Sequence, residues 1–266
     1  MPRLKRSEAD ERLIEAQGPD FLEALARGLR VLEAFNHDRK QLTLSDIAKL
    51  VDLPRASVRR TLHTLVRLGY AEMDDRLFRL TPRVLTLARA YLLSNAVSDI
   101  LQPALERLSE EVRETCSAAV LDGDEIMMIA HTSPNRIIPV SSQIGFRLPA
   151  IATSLGRVLL AAMDDRELDG FLAQIRSEKV TDFTIVDKVE LRKAILQVRK
   201  DGYALVDQEV EIGFRSIAVP LKRIDGRTIA ALNIGVHTER TPIKGMRSHL
   251  LPRLRATADE LQQQLI

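Results

Sequence analysis

The chain has 266 residues, of which 45% are hydrophobic and 29% charged, and its formal net charge is +2. That hydrophobic content excludes a disordered chain, and the length fits two domains. The single cysteine, Cys116, excludes an intrachain disulfide and fits a reducing compartment.

Charge is unevenly placed. Residues 1–90 carry 17 Lys and Arg against 13 Asp and Glu, leaving 22 against 24 for the remainder. A basic head joined to a mildly acidic body suits a nucleic-acid module attached to a sensing module. The charged N-terminus lacks an apolar signal region, and no apolar stretch is long enough to span a bilayer. A soluble cytoplasmic protein with no membrane partner is expected.

Residues 1–19 are polar and end in Gly18-Pro19, the composition of a mobile arm. Asp20 is placed to cap a helix whose apolar stripe is Phe21, Leu22, Leu25, Leu29, Leu32 and Phe35. Thr43 and Asp46 have capping-box spacing for a helix over Leu44–Val51. Pro54 suits the first position of a second helix because its missing N–H would be unpaired there anyway. Val58, Leu62, Leu65 and Leu68 mark the buried side of that helix, and Gly69 stops it. Tyr70–Met73 and Leu77–Leu80 form a small hairpin around Asp74-Asp75-Arg76.

Strand, helix, turn, helix and hairpin make a winged helix-turn-helix over residues 20–81, whose second helix enters the DNA major groove. Arg55, Ser57, Arg59, Arg60 and His63 then reach bases or phosphates. Thr43 and Ser45 can offer a hydroxyl or backbone N–H to a phosphate. Arg76 and Arg79 place cations on the wing. Any one of these taken alone reads as a solvated surface group; their clustering after the turn favours double-stranded DNA as a partner.

Thr81-Pro82 caps a linker helix over residues 82–96, with apolar positions Val84, Leu85, Leu87, Ala88, Tyr91 and Leu92. From Val97 a further helix leads to strands Thr115–Leu121 and Glu125–His131 around Asp122-Gly123-Asp124. A strand over Arg136–Ser142 follows, then helices Thr153–Met163 and Asp165–Gln174. Asp187 and Glu190 cap a helix ending at Gly202. Strands Tyr203–Asp207, Phe214–Arg223 and Arg227–His237 precede a closing helix from about Lys244. Hairpins with segregated helices over residues 97–266 predict an α+β fold.

Two runs give this second half a familiar look. One is Gly145-Phe146-Arg147-Leu148-Pro149-Ala150-Ile151-Ala152-Thr153-Ser154-Leu155-Gly156-Arg157. The other is Asp207-Gln208-Glu209, followed by Gly213-Phe214-Arg215-Ser216-Ile217-Ala218-Val219-Pro220. Both resemble the effector domain of IclR-type bacterial transcriptional regulators, and most closely the branch that controls aromatic-acid breakdown through the β-ketoadipate pathway. The resemblance implies a GAF-like C-terminal effector-binding domain. It also implies a homodimer or dimer of dimers, and a small acidic effector such as protocatechuate, 4-hydroxybenzoate or β-ketoadipate. Four positions depart from the branch pattern. Ile151-Ala152 stands where an aromatic or His followed by Cys is common, Phe214 replaces a common Leu, and Gly235 replaces a small hydroxyl residue.

A small carboxylate needs a cation or several donors. Thr153, Ser154 and Leu155 open a helix whose free N–H groups and hydroxyls suit an anion, although plain capping explains Thr153 and Ser154 equally well. Arg136 or Arg147 can clamp a carboxylate bidentately, with a surface ion pair as the ordinary role of each. Phe214 and Ser216 share one face of a strand, as do Asn233 and Gly235. By resemblance, these four line the pocket floor.

The carboxylate ladder Asp207, Glu209 and Glu211 lacks histidine support, so neither a metal nor another cofactor is expected. Arg215 is the nearer explanation for it. Nucleotide-binding glycine loops, metal-spaced His/Cys clusters and Gly-x-Ser-x-Gly are all absent from the sequence, which argues against an enzyme. A small-molecule sensor that binds no specific DNA is the remaining rival, and it leaves the arginine-rich helix unexplained.

Overall fold

The computed structural model describes residues 20–36, 38–87, 96–134, 144–175 and 177–265. They fall into two units divided between residues 94 and 95. The expected N-terminal arm, the linker helix beyond residue 87, and Arg136 with its expected strand lie outside the described residues.

In the first unit, α1 spans Glu23–Glu33. Leu22 rather than Asp20 sits at its N-cap, and no side chain caps it. Asp20 lies too far ahead of the first turn to meet its free N–H groups. β1 (Leu42–Thr43) leads directly into α2 (Leu44–Leu50). Both halves of the capping box are made there: the Asp46 amide donates to Thr43 Oγ1, and Asp46 Oδ2 accepts from the Thr43 amide. Asp52 makes the tight turn with φ at +48°, a left-handed conformation that Asp tolerates better than most residues. Next comes α3 (Arg55–Arg67), entered through Pro54, with Val58, Leu62 and Leu65 buried.

The wing strands β2 (Ala71–Asp74) and β3 (Leu77–Leu80) complete a three-stranded antiparallel sheet in the order β1-β3-β2. Val31, Ile47, Val58 and Leu62 centre a small core that ties the three helices to this sheet. Arg83 lies over the Tyr70 ring, 5.5 Å from its centroid, and fastens the wing's exit to its entrance. Thr81 caps a single 3-10 turn, Pro82–Val84, which continues as helix over 85–87.

The second unit begins with α4 (Ala96–Val112). It contains β4 (Thr115–Asp122), β5 (Glu125–Thr132), β6 (Arg147–Pro149), β7 (Ala204–Asp207), β8 (Phe214–Lys222) and β9 (Thr228–His237). These pair antiparallel in the order β6-β5-β4-β9-β8-β7. Helices cover both faces. On one face, Ile217, Leu232, Ile234 and Cys116 pack under α4 and the C-terminal helix α8 (Leu251–Gln262). A five-residue π segment, Met246–Leu250, leads into α8. It lies just ahead of Pro252, whose missing N–H removes one bond from the helical ladder there.

The other face is built from alanines: Ala119, Ala204, Ala218 and Ala231. Their small side chains let α5 (Ser154–Ala161) lie close on the sheet, and every residue of α5 is buried. Gly156 lets the 3-10 turn Ala150–Ala152 fold back against α5, because a Cβ there would overlap the Ala150 backbone. α6 (Asp165–Gln174) and α7 (Lys188–Asp201) close the outer side. This is an α+β fold, with the helix start at Thr153-Ser154 set over the middle of the sheet.

Candidate functional site

On α3, positions 55, 59 and 63 recur every four residues and so share a face. Arg55, Arg59 and His63 are all exposed. With Thr43, Ser45 and the wing's Arg76 they line one trough of about 600 Å³ between α3 and the wing. The trough therefore gathers six of the nine residues expected to meet DNA.

The other three lie elsewhere. Ser57 and Arg60 line a separate groove against Ala24, Leu25 and Gly28 of α1. The 100° step per residue carries position 60 off the 55–59–63 face. Arg79 is held on the wing by Glu72 at 2.6 Å. Thr43 Oγ1 is already engaged with Asp46, donating to Oδ2 at 2.6 Å, and this bond holds the Asp46 carboxyl below its ordinary range. Thr43 thus offers the trough a fixed helix start more than a free hydroxyl.

The second unit contains a recessed cavity of about 240 Å³ on the α5 side of the sheet. Ile126, Met128, Leu148, Leu155, Val206 and Phe214 supply its apolar lining, and Thr153, Ser216, Asn233 and Gly235 also line it. Ser154 sits beside it, with its Oγ 2.7 Å from Ser216 Oγ. Thr153 caps α5 by accepting from the Gly156 amide at 2.9 Å.

Arg147 is placed elsewhere. It lies on the edge strand β6, where Glu125 holds its Nε at 2.6 Å and Asp122 engages the same guanidinium. Two carboxylates from the β4–β5 turn already neutralise it, and it does not line the cavity. Those bonds, the one to Glu125 foremost, raise its pKa above the ordinary arginine value.

Strand register supplies residues the sequence reading missed. Ser117 on β4 stands opposite His131 on β5 and Asn233 on β9, so the three form a polar row across the sheet. Ser117 Oγ lies 2.9 Å from His131 Nδ1. Burial pushes the His131 pKa down, favouring the neutral ring. His131 Nε2 and Asn233 Oδ1 are buried without a hydrogen-bond partner among the described residues.

Arg215, Glu211 and His237 also reach the cavity lining. Arg215 is braced by Asp207, at 2.9 Å through Nε, and by the Thr241 carbonyl. Glu209 turns away from the cavity to accept from Arg157 at 2.6 Å and from the Ile185 amide at 3.0 Å. The carboxylate ladder is thereby divided. Two of its members pair with arginines, and Glu211 lines the cavity. Among the described residues no group of His, Cys, Asp or Glu could hold a metal ion, and no helix is long and apolar enough to cross a membrane.

A winged helix-turn-helix with an exposed arginine face, followed by a separate unit enclosing a small cavity, defines a DNA-binding regulator governed by a small molecule. Comparison with known proteins makes the assignment specific. Residues 24–75 match the IclR helix-turn-helix domain, and residues 89–263 match the family described as bacterial transcriptional regulator IclR C-terminal. The Pca regulon regulatory protein of Pseudomonas putida is 44% identical over 93% of this chain and 85% of its own length. A crystal structure of a transcriptional regulator from Rhodococcus sp. RHA1 matches with a TM-score of 0.80 at 45% identity, over 92% of this chain and 98% of that one. An IclR homolog from Microbacterium hydrocarbonoxydans, crystallised with 4-hydroxybenzoate, matches with a TM-score of 0.77 at 29% identity, over 91% of this chain and 98% of that one. The chain belongs to the IclR family of bacterial transcriptional regulators.

Proposed function

We propose that this regulator controls genes of aromatic-acid breakdown and that its effector is a small acid of that chemistry, held in the cavity of the second unit. In this reading residues 20–81 read the operator and residues 97–266 bind the effector, with residues 82–96 joining them. A homodimer or dimer of dimers presents two or more α3 helices to the DNA. Effector binding acts by favouring one arrangement of those helices over another, which requires different affinity for the two arrangements.

The observation that carries the reading is the cavity itself. Its volume is below the roughly 300–1,000 Å³ of pockets that take drug-sized ligands, so it suits a molecule of about one ring. Apolar side chains dominate its lining, and polar groups sit at a few fixed points, with His237 available to an acid. The names of the Pseudomonas relative and the Microbacterium complex point the same way.

The test is fluorescence anisotropy of a labelled operator duplex at fixed salt, with 4-hydroxybenzoate, protocatechuate or β-ketoadipate titrated in. One of these acids is expected to raise the protein's melting temperature and to change operator affinity. An operator affinity and a melting temperature indifferent to all three would refute the effector class.

A further inference from the structure

We infer that Asn233, with Ser117 and His131 behind it, is the group through which the cavity reads a hydroxyl on its effector, separate from the acid group. This inference rests on the effector reading above and narrows it. Asn233 lines the cavity yet is only 9% exposed. Its Oδ1 has no hydrogen-bond partner among the described residues. A buried amide oxygen left unpaired is costly, and native proteins seldom leave one so. Apolar side chains dominate the surrounding lining, so a group on the ligand is the natural partner.

The neighbours fix what that group is. Register sets Ser117 directly beside Asn233 on the same face of the sheet. His131, on the far side of Ser117, engages the serine hydroxyl through Nδ1 at 2.9 Å. In the tautomer that carries its proton on Nε2, the ring accepts from Ser117, which leaves the serine lone pairs to accept in turn. Ser117 and Asn233 Oδ1 then stand side by side as acceptors. A hydroxyl supplies the one proton that Asn233 Oδ1 lacks, and a second, neighbouring hydroxyl can donate to Ser117. A ketone or carboxylate oxygen only accepts, so it leaves the orphaned oxygen unpaired. The row carries no formal charge to pair with a carboxylate, so the acid group is left to the His237 side of the lining.

Isothermal titration of the full-length protein tests this with matched acids: 4-hydroxybenzoate and 3,4-dihydroxybenzoate against benzoate, 4-methylbenzoate and 3-oxoadipate. The methyl analogue keeps the shape and removes the hydrogen bonds. The wild type is expected to favour a hydroxylated acid over the methyl analogue by roughly 10- to 100-fold, the usual scale for an unpaired buried partner. Asn233→Leu is expected to collapse that ratio toward one by losing the hydroxylated acid while retaining 4-methylbenzoate. Ser117→Ala should reduce the ratio in part, and it decides the matter if Asn233→Leu does not fold. A wild type that binds benzoate or 4-methylbenzoate as tightly as a hydroxylated acid overturns the inference. So does a ratio that survives both substitutions, or a wild type that takes only 3-oxoadipate; in all these cases the effector reading stands. Binding of none of the five acids removes the effector reading itself.

Discussion

The ring of Phe214 lies over the α carbon of Gly235 on the neighbouring strand. A Cβ at position 235 would overlap the tip of that ring. The ring is braced on another side by His237, edge to face at 6.3 Å between centroids. Phe214 and Gly235 both depart from the branch pattern, and the structure makes them one feature: the ring takes the space a side chain at 235 would fill.

Gly235→Ala is therefore expected to destabilise the second unit by about 1–3 kcal/mol, the usual cost of overpacking. Phe214→Leu in the same chain should recover most of that loss, because the ring that collides is gone. The pair would then be non-additive, as residues in contact are. Urea unfolding of the two single variants and the double variant measures this; simple additivity contradicts the contact.

Arg157 and Glu209 form an ion pair at 2.6 Å with both side chains buried. Arg157 also donates to the Ile151 carbonyl, and Glu209 accepts from the Ile185 amide. The pair thus ties α5 to the segment that carries Val210 and Glu211 into the cavity lining. Glu209→Gln strands a buried cation, and the expected loss is about 3–5 kcal/mol. Arg157→Met with Glu209→Leu removes both charges and is expected to be less damaging than Glu209→Gln alone. Thermal unfolding ranks the two; the reverse order would mean that the charges themselves contribute little.

Arg59 and Arg60 are adjacent in sequence and belong to different grooves. Arg59→Ala is expected to weaken operator binding by about 1–3 kcal/mol, or to lower the salt slope by about 1 if its contact is a phosphate. Arg60→Ala, on the groove shared with α1, is expected to change operator affinity much less. Anisotropy titrations at several salt concentrations separate the two, and equal losses would mean that the trough is not the reading face.

Much of this fold is written in local chemistry. Thr43 with Asp46, Asp122-Gly123 and Asp225-Gly226 mark a helix start and turns that stand where short-range rules put them, and Pro54 falls one residue off, at the N-cap of α3 rather than its first position. Arg55 and Arg59 were legible as a shared face because helical spacing alone decides it. What stayed hidden depends on pairing between distant segments. β4 lies beside β9, more than a hundred residues further along, and only that pairing sets Ser117 next to Asn233. A bulge between Ala118 and Ala119 shifts the alternation of β5, so that Met128 faces the cavity side and His131 faces it too. Strict alternation cannot reach that result. Arg147 reads as a ligand clamp in the sequence because its two carboxylate partners sit on a turn 22 and 25 residues away.

His131 and Glu114 make the unit's acid stability a contest of opposite signs. Burial lowers the His131 pKa from an ordinary value of 6.5, so as pH falls below 6.5 the unfolded chain takes up the proton first. It binds more protons than the native state in that window, and stability falls on acidification. Burial raises the Glu114 pKa from 4.5, against the opposing pull of Arg240. Just above pH 4.5 the native state therefore holds more of that proton, which favours folding as pH falls. His131→Asn is expected to flatten the decline in melting temperature below pH 6.5, and Glu114→Gln to steepen it. Melting curves of the wild type and both variants from pH 7.5 to pH 5 read out the two slopes. Parallel curves for wild type and His131→Asn would show that the imidazole carries no such linkage.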